Sequence, residues 1–318
     1  MQQGTRRYAI LGSGALGGYY GALLSRSGLP VDFLCRGDYE HVRERGWIVE
    51  SKFGDFRVLN PSVYRDVRDM PPADVVVVAL KTTSNGQLAS LLPPVVKPDG
   101  VVLVLQNGLG MEDHAGSIVG PNRVIGGSCF LCSNKVGPGH IRHLDYGTIA
   151  MGEHTADGSP GGRTDRLRAI AADFEAAGVS VQISDDLRLV RWKKLVWNIP
   201  FNGLSVVLDA STSELVGDPS LRSLVRDLME EIAGAAGAVG VSIEPEFLDS
   251  MIVNTERMVP YKTSMKVDYE GGRPLELDSI FGEPLRRAAA AGASMPITKA
   301  LHRQLRFLDE RNRKNRES

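Results

Sequence analysis

The chain has 318 residues, with 37 lysines and arginines against 38 aspartates and glutamates, for a net charge of −1. That length suits two domains, each large enough to bury its own core, and the charge balance gives no electrostatic case for nucleic acid or an anionic membrane as partner. No apolar run approaches the ~20 residues of a spanning helix, and the first strand follows the N-terminus directly, so the sequence reads as that of a soluble, cytoplasmic protein.

In chain order, Tyr8-Ala9-Ile10-Leu11 reads as an apolar strand that runs through Gly12-Ser13-Gly14-Ala15-Leu16-Gly17 into a helix closed by Gly28. The three glycines stand at G-x-G-x-x-G spacing between strand and helix, the arrangement of a dinucleotide cradle. Gly12 permits the tight turn, Gly14 lets backbone approach a pyrophosphate, and Gly17 lets the helix pack on the sheet, while the helix N-terminus favours the anion. A second short strand, Val31 to Leu34, completes the start of a βαβ unit.

Asp74 to Leu80 and Val101 to Leu105 are unbroken apolar strands, as expected of a parallel sheet covered on both faces. Gln87 to Val96 supplies the crossover between them, and Lys97-Pro98-Asp99-Gly100 the turn. Val124 to Cys132 is an apolar run that reads as a buried strand, so Cys129 and Cys132 are expected in the core rather than in a redox or metal site, and no metal is expected. His140 to Leu144 and Thr148 to Met151 are expected to form a hairpin around Asp145-Tyr146-Gly147. A helix over Arg163 to Ala177 and a strand over Val179 to Ile183 end this pattern.

Beyond Asp185 only helices are expected, including Leu187 to Trp197, Pro219 to Val239 and Glu283 to Ala291, with a frayed end from Arg311. The fold class is therefore α/β. A Rossmann-type dinucleotide-binding domain over 1–184 precedes an all-helical substrate and catalytic domain over 185–318, itself a candidate homodimer surface.

Cofactor choice is set at the end of the second strand, where a carboxylate would bind the ribose hydroxyls of NAD. Here Phe33-Leu34-Cys35 leads into Arg36, and a guanidinium there favours a 2′-phosphate, hence NADPH. The competing assignment makes Arg36 a surface residue and Asp38 the ribose ligand. Lys81 and Asn107 follow two further core strands at the sheet edge where ligands bind. In the helical part, Lys194, Asn198 and Asn202 recur every four residues, which on a helix gives one polar stripe. Asparagine is a poor choice for a solvent-facing helix, so the stripe is expected to line a wet cleft, and Pro200 is expected to kink or end the helix.

Together the glycine fingerprint, Lys81-Thr82, Gln106-Asn107-Gly108 and the stripe in Trp192-x-Lys194-Leu195-x-x-Asn198 resemble the ketopantoate reductase family, over nearly the whole chain. The resemblance implies NADPH-dependent reduction of a 2-keto acid, 2-dehydropantoate to pantoate, on the route to pantothenate. It assigns Lys194 as the catalytic lysine, Asn198 and Asn202 as substrate ligands, and Asn107 to the neighbourhood of nicotinamide and substrate. Lys262-Thr263-Ser264-Met265-Lys266-Val267-Asp268 resembles the family's S-S-M-x-x-D segment, with Ser264 on the substrate carboxylate. Glu276, opening an E-x-D-x-x-x-G stretch that ends at Gly282, matches the family's glutamate, which would steady the lysine or a substrate hydroxyl.

The chain departs from the family's pattern at Thr212-Ser213-Glu214-Leu215 and at Pro200-Phe201. Two rivals share the glycine fingerprint: a reductase of another keto acid, and a non-catalytic NADPH sensor, which has no need of the lysine and asparagines.

Overall fold

The computed structural model describes residues 5–258 and 262–317. By internal contacts the chain divides into two units, Met1–Gln106 with Met111–Val190, and Asn107–Gly110 with Arg191–Ser318.

In the first unit, β1 (Tyr8–Leu11), α1 (Ala15–Arg26) and β2 (Val31–Leu34) form the opening βαβ turn, followed by α2 (Tyr39–Arg45) and three short strands, β3 (Trp47–Ser51), β4 (Phe56–Val58) and β5 (Ser62–Tyr64). Next come β6 (Ala73–Val78), a 3₁₀ turn over Thr82–Gln87, α3 (Leu88–Leu91), β7 (Val96–Val104) and α4 (Met111–Val119). The unit closes with β8 (Val124–Gly137), β9 (His140–Glu153), α5 (Asp165–Ala176) and β10 (Val181–Ile183).

The strands make one sheet in the order β4-β3-β9-β8-β7-β6-β1-β2-β5, with β10 on β9. Pairing is parallel from β8 through β7, β6, β1 and β2 to β5. Alternation along each strand feeds two cores. Tyr8, Ile10, Val75, Val77 and Leu103 pack with Tyr20 of α1 and Phe174 of α5, while Ala9, Leu11, Val76, Val78 and Val102 pack with Leu88 of α3 and Ala115 of α4. Burial on both faces explains why Tyr8–Leu11, the run from Val75 to Val78 and the run from Val101 to Val104 are apolar at every position.

The expected hairpin around Asp145-Tyr146-Gly147 is not the turn. β8 and β9 are long antiparallel partners that meet at Gly139, and Leu131↔Tyr146 and Cys132↔Asp145 pair inside the ladder beside register shifts. The positive φ of Tyr146 (62°) and Gly147 (122°) belongs to that irregularity, a bulge that carries turn-forming residues without reversing the chain. Lys97 to Gly100 likewise lies within β7, because Val96 already pairs with Ala73 and a register shift absorbs the irregular residues. The strands β3, β4 and β5 were not anticipated; each is short and neither β4 nor β5 alternates cleanly in burial.

The second unit is helical: α6 (Leu187–Val207), α7 (Thr212–Gly217), α8 (Pro219–Ala238), α9 (Pro245–Arg257), α10 (Ser264–Glu270), a π-helical turn over Asp278–Gly282, α11 (Glu283–Ala290) and α12 (Pro296–Glu317). The unit boundary falls inside the first turns of α6. Pro200 does not end α6, which runs on to Val207. An internal proline costs a helix about 3 kcal/mol, and here the turns around it are anchored by fully buried Ile199 and Phe201, with Phe201 stacked on Trp197 at 5.0 Å.

The departure at Thr212 to Leu215 also has a local account. Ser211 caps α7 through the Glu214 amide at 3.3 Å, and the Glu214 carboxylate accepts the Ser211 amide at 2.8 Å, a reciprocal capping box. α12 continues past Arg311 to Glu317 rather than fraying there, while Ser318 lies outside the described residues. Among the described residues, no helix is long and apolar enough to cross a membrane.

Candidate functional site

At the end of β1 the chain turns through Gly12 with φ at +107°. A Cβ there would run into the backbone of Ala79 and Leu80, and one at Gly17 into the carbonyl oxygen of Gly12. Backbone packs on backbone at these positions, which only glycine permits. Gly14 differs, since the space where its Cβ would stand is open. It is also the N-cap of α1 and offers no side chain to the free amides, and the first turn of α1 holds no acidic residue. The helix end that begins at Ala15 and Leu16 is therefore electropositive, uncapped and approachable. Ser13 braces this turn from the side, because its hydroxyl donates to the Leu34 carbonyl at 2.9 Å and ties the glycines to the end of β2.

The register Leu11↔Leu34 and Leu11↔Val78 brings the ends of β1, β2 and β6 to one edge, so the segments with Gly12, Arg36 and Lys81 leave the sheet side by side. Arg36 is exposed and donates to the side-chain oxygen of Gln87. Asp38, the alternative ribose ligand, is occupied: its carboxylate accepts the Gly139 amide at 3.0 Å and pairs with Lys135. Exposed Lys81 precedes the 3₁₀ turn. Gln106 donates to the Leu80 carbonyl at 2.9 Å and to Asn85 Oδ1 at 2.6 Å, fixing that turn.

In the second unit, Lys194, Asn198 and Asn202 lie on α6, but not as a wet stripe. Asn198 is 3% and Asn202 2% exposed, and two of their polar atoms, Asn198 Nδ2 and Asn202 Oδ1, have no partner among the described residues. Buried amide atoms left without a partner are costly, which marks these two as built for something other than packing. Lys194 is half-buried, with Nζ 5.5 Å from the centre of the Trp197 ring. That indole is itself held by Thr255, whose Oγ1 accepts the Trp197 Nε1–H at 3.0 Å while donating to the Met251 carbonyl at 2.7 Å.

Glu276 is buried just before the π-helical turn, in a tight turn closed by the Leu277 amide on the Leu275 carbonyl at 2.9 Å. Its neighbour Leu275 donates its amide to Asp309 of α12 at 3.0 Å, which anchors the segment. The π-helical turn also receives the loop that contains Asn107: the Leu109 amide donates to the Ser279 carbonyl at 2.9 Å. Gly108 sits at φ +95° directly against Ser279, where a Cβ would clash. Asn107, half-buried, thus belongs by its loop's contacts to the unit that holds Glu276, although the sequence places it after a sheet strand. Ser264, also half-buried, is the first residue of α10, whose cap Thr263 accepts the Lys266 amide at 3.2 Å.

Thr263, Ser205, Thr255 and Asp309 were not singled out from sequence. Only Thr263 carried a signal, as a capping residue ahead of a short apolar-periodic segment. Among the described residues, no cluster of histidine, cysteine, aspartate and glutamate could hold a metal. Cys35, Cys129 and Cys132 are buried, and burial pushes the Cys35 thiol pKa up.

Two family profiles, Ketopantoate reductase PanE/ApbA and its C-terminal counterpart, match residues 8–156 and 186–309. The chain belongs to the ketopantoate reductase family. It is 54% identical to a 2-dehydropantoate 2-reductase of Nostoc sp. over 308 residues, covering 97% of each chain. The crystal structure of a 2-dehydropantoate 2-reductase from Geobacter metallireducens superposes with a TM-score of 0.91 at 42% identity, over 95% of this chain and 99% of that one. A D-mandelate dehydrogenase bound to NADH and anilino(oxo)acetate shares the fold, with a TM-score of 0.87 at 20% identity over 96% of this chain and 99% of its own. The ketopantoate reductase fold, an α/β dinucleotide-binding unit and a helical unit, thus extends over nearly all of the chain.

Proposed function

We infer that this ketopantoate reductase reduces 2-dehydropantoate to pantoate with NADPH, in a soluble, cytoplasmic setting. The observation that carries the reading is the pair of buried, unmatched amide atoms on α6, Asn198 Nδ2 and Asn202 Oδ1. A ligand that satisfies both must present an acceptor and a donor about one helical turn apart. 2-Dehydropantoate has both, with its keto and carboxylate oxygens and its terminal hydroxyl.

Of the two nicotinamide cofactors, NADPH fits the first unit better. The open surface at Gly14 and the uncapped end of α1 suit a pyrophosphate, and Ser13, Ala15 and Leu16 contribute backbone amides there. Arg36 is exposed and oriented by Gln87, while Asp38 is engaged elsewhere, which favours a 2′-phosphate over a bare ribose. Lys81 and Asn107 serve the nicotinamide half.

Bound NADPH supplies the hydride for the keto carbon. Lys194 stabilises the developing alkoxide and donates the proton that completes the alcohol. Asn198, Asn202 and Asn107 orient the substrate, Ser264 holds its carboxylate, and Glu276 steadies Lys194 or the substrate hydroxyl.

A spectrophotometric assay with 2-dehydropantoate, run with NADPH and with NADH beside a panel of other 2-keto acids, tests substrate and cofactor together. The expected result is highest kcat/KM for 2-dehydropantoate with NADPH, and a rise of about tenfold or more in KM for NADPH in Arg36→Ala. Preference for another keto acid overturns the substrate, and tight NADPH binding without turnover on any acid overturns catalysis.

A further inference from the structure

Past Asn202 on α6, Ser205 is buried, and its Oγ donates to the backbone carbonyl of Asn202 at 3.2 Å. The same Oγ lies 2.8 Å from Thr263 Oγ1, which is fully buried. A hydroxyl has one proton to give. With that of Ser205 committed to the Asn202 carbonyl, Thr263 must be the donor between the two hydroxyls. Thr263 Oγ1 then accepts the Lys266 amide at 3.2 Å, closing the first turn of α10. The chain of bonds runs in one direction, from the Lys266 amide through Thr263 and Ser205 to the backbone of Asn202.

Ser264 is the residue after Thr263. Its placement relative to Asn198 and Asn202 is therefore transmitted by one buried pair of hydroxyls. A second tie acts at the same joint: buried Lys266 pairs with Asp209, just past the end of α6. Apolar packing alone would leave α10 free to slide along α6, since dispersion contacts are not directional, whereas a hydroxyl pair with assigned protons fixes a register.

We propose that Thr263 is a positioning residue that, through Ser205, sets the spacing between Ser264 and the Asn198–Asn202 pair, and so governs affinity for the keto-acid carboxylate rather than the rate of reduction. This rests on the reading of Ser264 as the carboxylate ligand.

The test is steady-state kinetics of Thr263→Val, Thr263→Ser, Ser205→Ala and Ser264→Ala in the full chain, with melting temperatures alongside. Valine keeps the shape and removes the hydroxyl. Thr263→Val and Ser205→Ala should each raise KM for 2-dehydropantoate about five- to tenfold, the worth of one well-placed hydrogen bond, with kcat within about twofold and KM for NADPH unchanged. Thr263→Ser should restore the KM. If Thr263→Val does not fold, Ser205→Ala and the serine variant still carry the comparison.

A lowered melting temperature with unchanged KM, or a serine variant as impaired as valine, overturns the proposal. So does a rise in KM for Ser264→Ala with none for Thr263→Val or Ser205→Ala, which leaves the carboxylate reading standing. No change in KM for Ser264→Ala removes the carboxylate reading itself, and the proposal with it.

Discussion

At the end of β1, Gly12 and Gly17 bring backbone against backbone because side chains are missing, whereas on α6, Asn198 and Asn202 bury polar side chains whose ends find no match. The first is fixed by packing at Gly12 and Gly17, and the polar groups it leaves over are the solvent-reachable amides at the start of α1. The second has polar capacity in reserve, which a ligand can complete. Stability and binding should therefore be coupled at the glycines and opposed at the asparagines.

The largest effect belongs to a group assigned to the reaction itself. Lys194→Ala should lower kcat by roughly 10²-fold or more while NADPH still binds; near-normal turnover removes Lys194 from catalysis. Next, Gly17→Ala should weaken NADPH binding at least about tenfold and lower the melting temperature as well, because its Cβ meets the Gly12 carbonyl and must displace the whole turn. Asn202→Leu should separate the two quantities. Turnover should fall about tenfold or more while the protein gains about 1 kcal/mol of stability from losing a buried amide oxygen that has no partner. A stability loss there as at Gly17 would erase the contrast between the two surfaces.

The smallest effect concerns the sheet unit. His143 is buried, its Nε2 sits 3.0 Å from the carbonyl oxygens of Asp145 and Tyr146, and its Nδ1 lies 2.8 Å from the Ser51 hydroxyl, a setting for a neutral ring. Burial lowers its pKa from the ordinary 6.5. Between the lowered value and 6.5 the unfolded chain binds the extra proton, so stability is complete above about pH 6.5 and declines as the pH falls below it. Thermal melts from about pH 7.5 down to about 5 should show this loss, and His143→Gln should reduce it, the remainder falling to His302, whose pKa burial also lowers.

Much of the fold was legible because it rests on local pattern. Val75 to Val78 and Leu103 are apolar on both faces, and Gly12, Gly14 and Gly17 carry their geometry in their spacing. The misses share a cause. Asp145-Tyr146-Gly147 has turn chemistry yet lies inside a ladder, and Pro200 has helix-breaking chemistry yet lies inside a helix, because tertiary packing outweighed local preference at both. In the candidate site, the four-residue recurrence from Lys194 to Asn202 was readable, but the burial of both asparagines was not, since nothing in a helical period states what covers a face. Thr263 and Ser205 are 58 positions apart, and no local rule pairs them.

The loop from Asn107 to Gly110 shows how the chain is wired. It is drawn from the middle of the sheet unit, yet its contacts, Leu109 on Ser279 and Gly108 against the same carbonyl, lie with residues far downstream. Helical halves exchanged between relatives at the first turns of α6 would inherit a foreign loop at this point. A bulkier residue in place of Gly108, or a differently shaped turn at Ser279, would make such a chimaera fail at a seam about eighty residues upstream of the splice. Modular exchange of this enzyme's helical unit would therefore have to carry two pieces of sequence, not one.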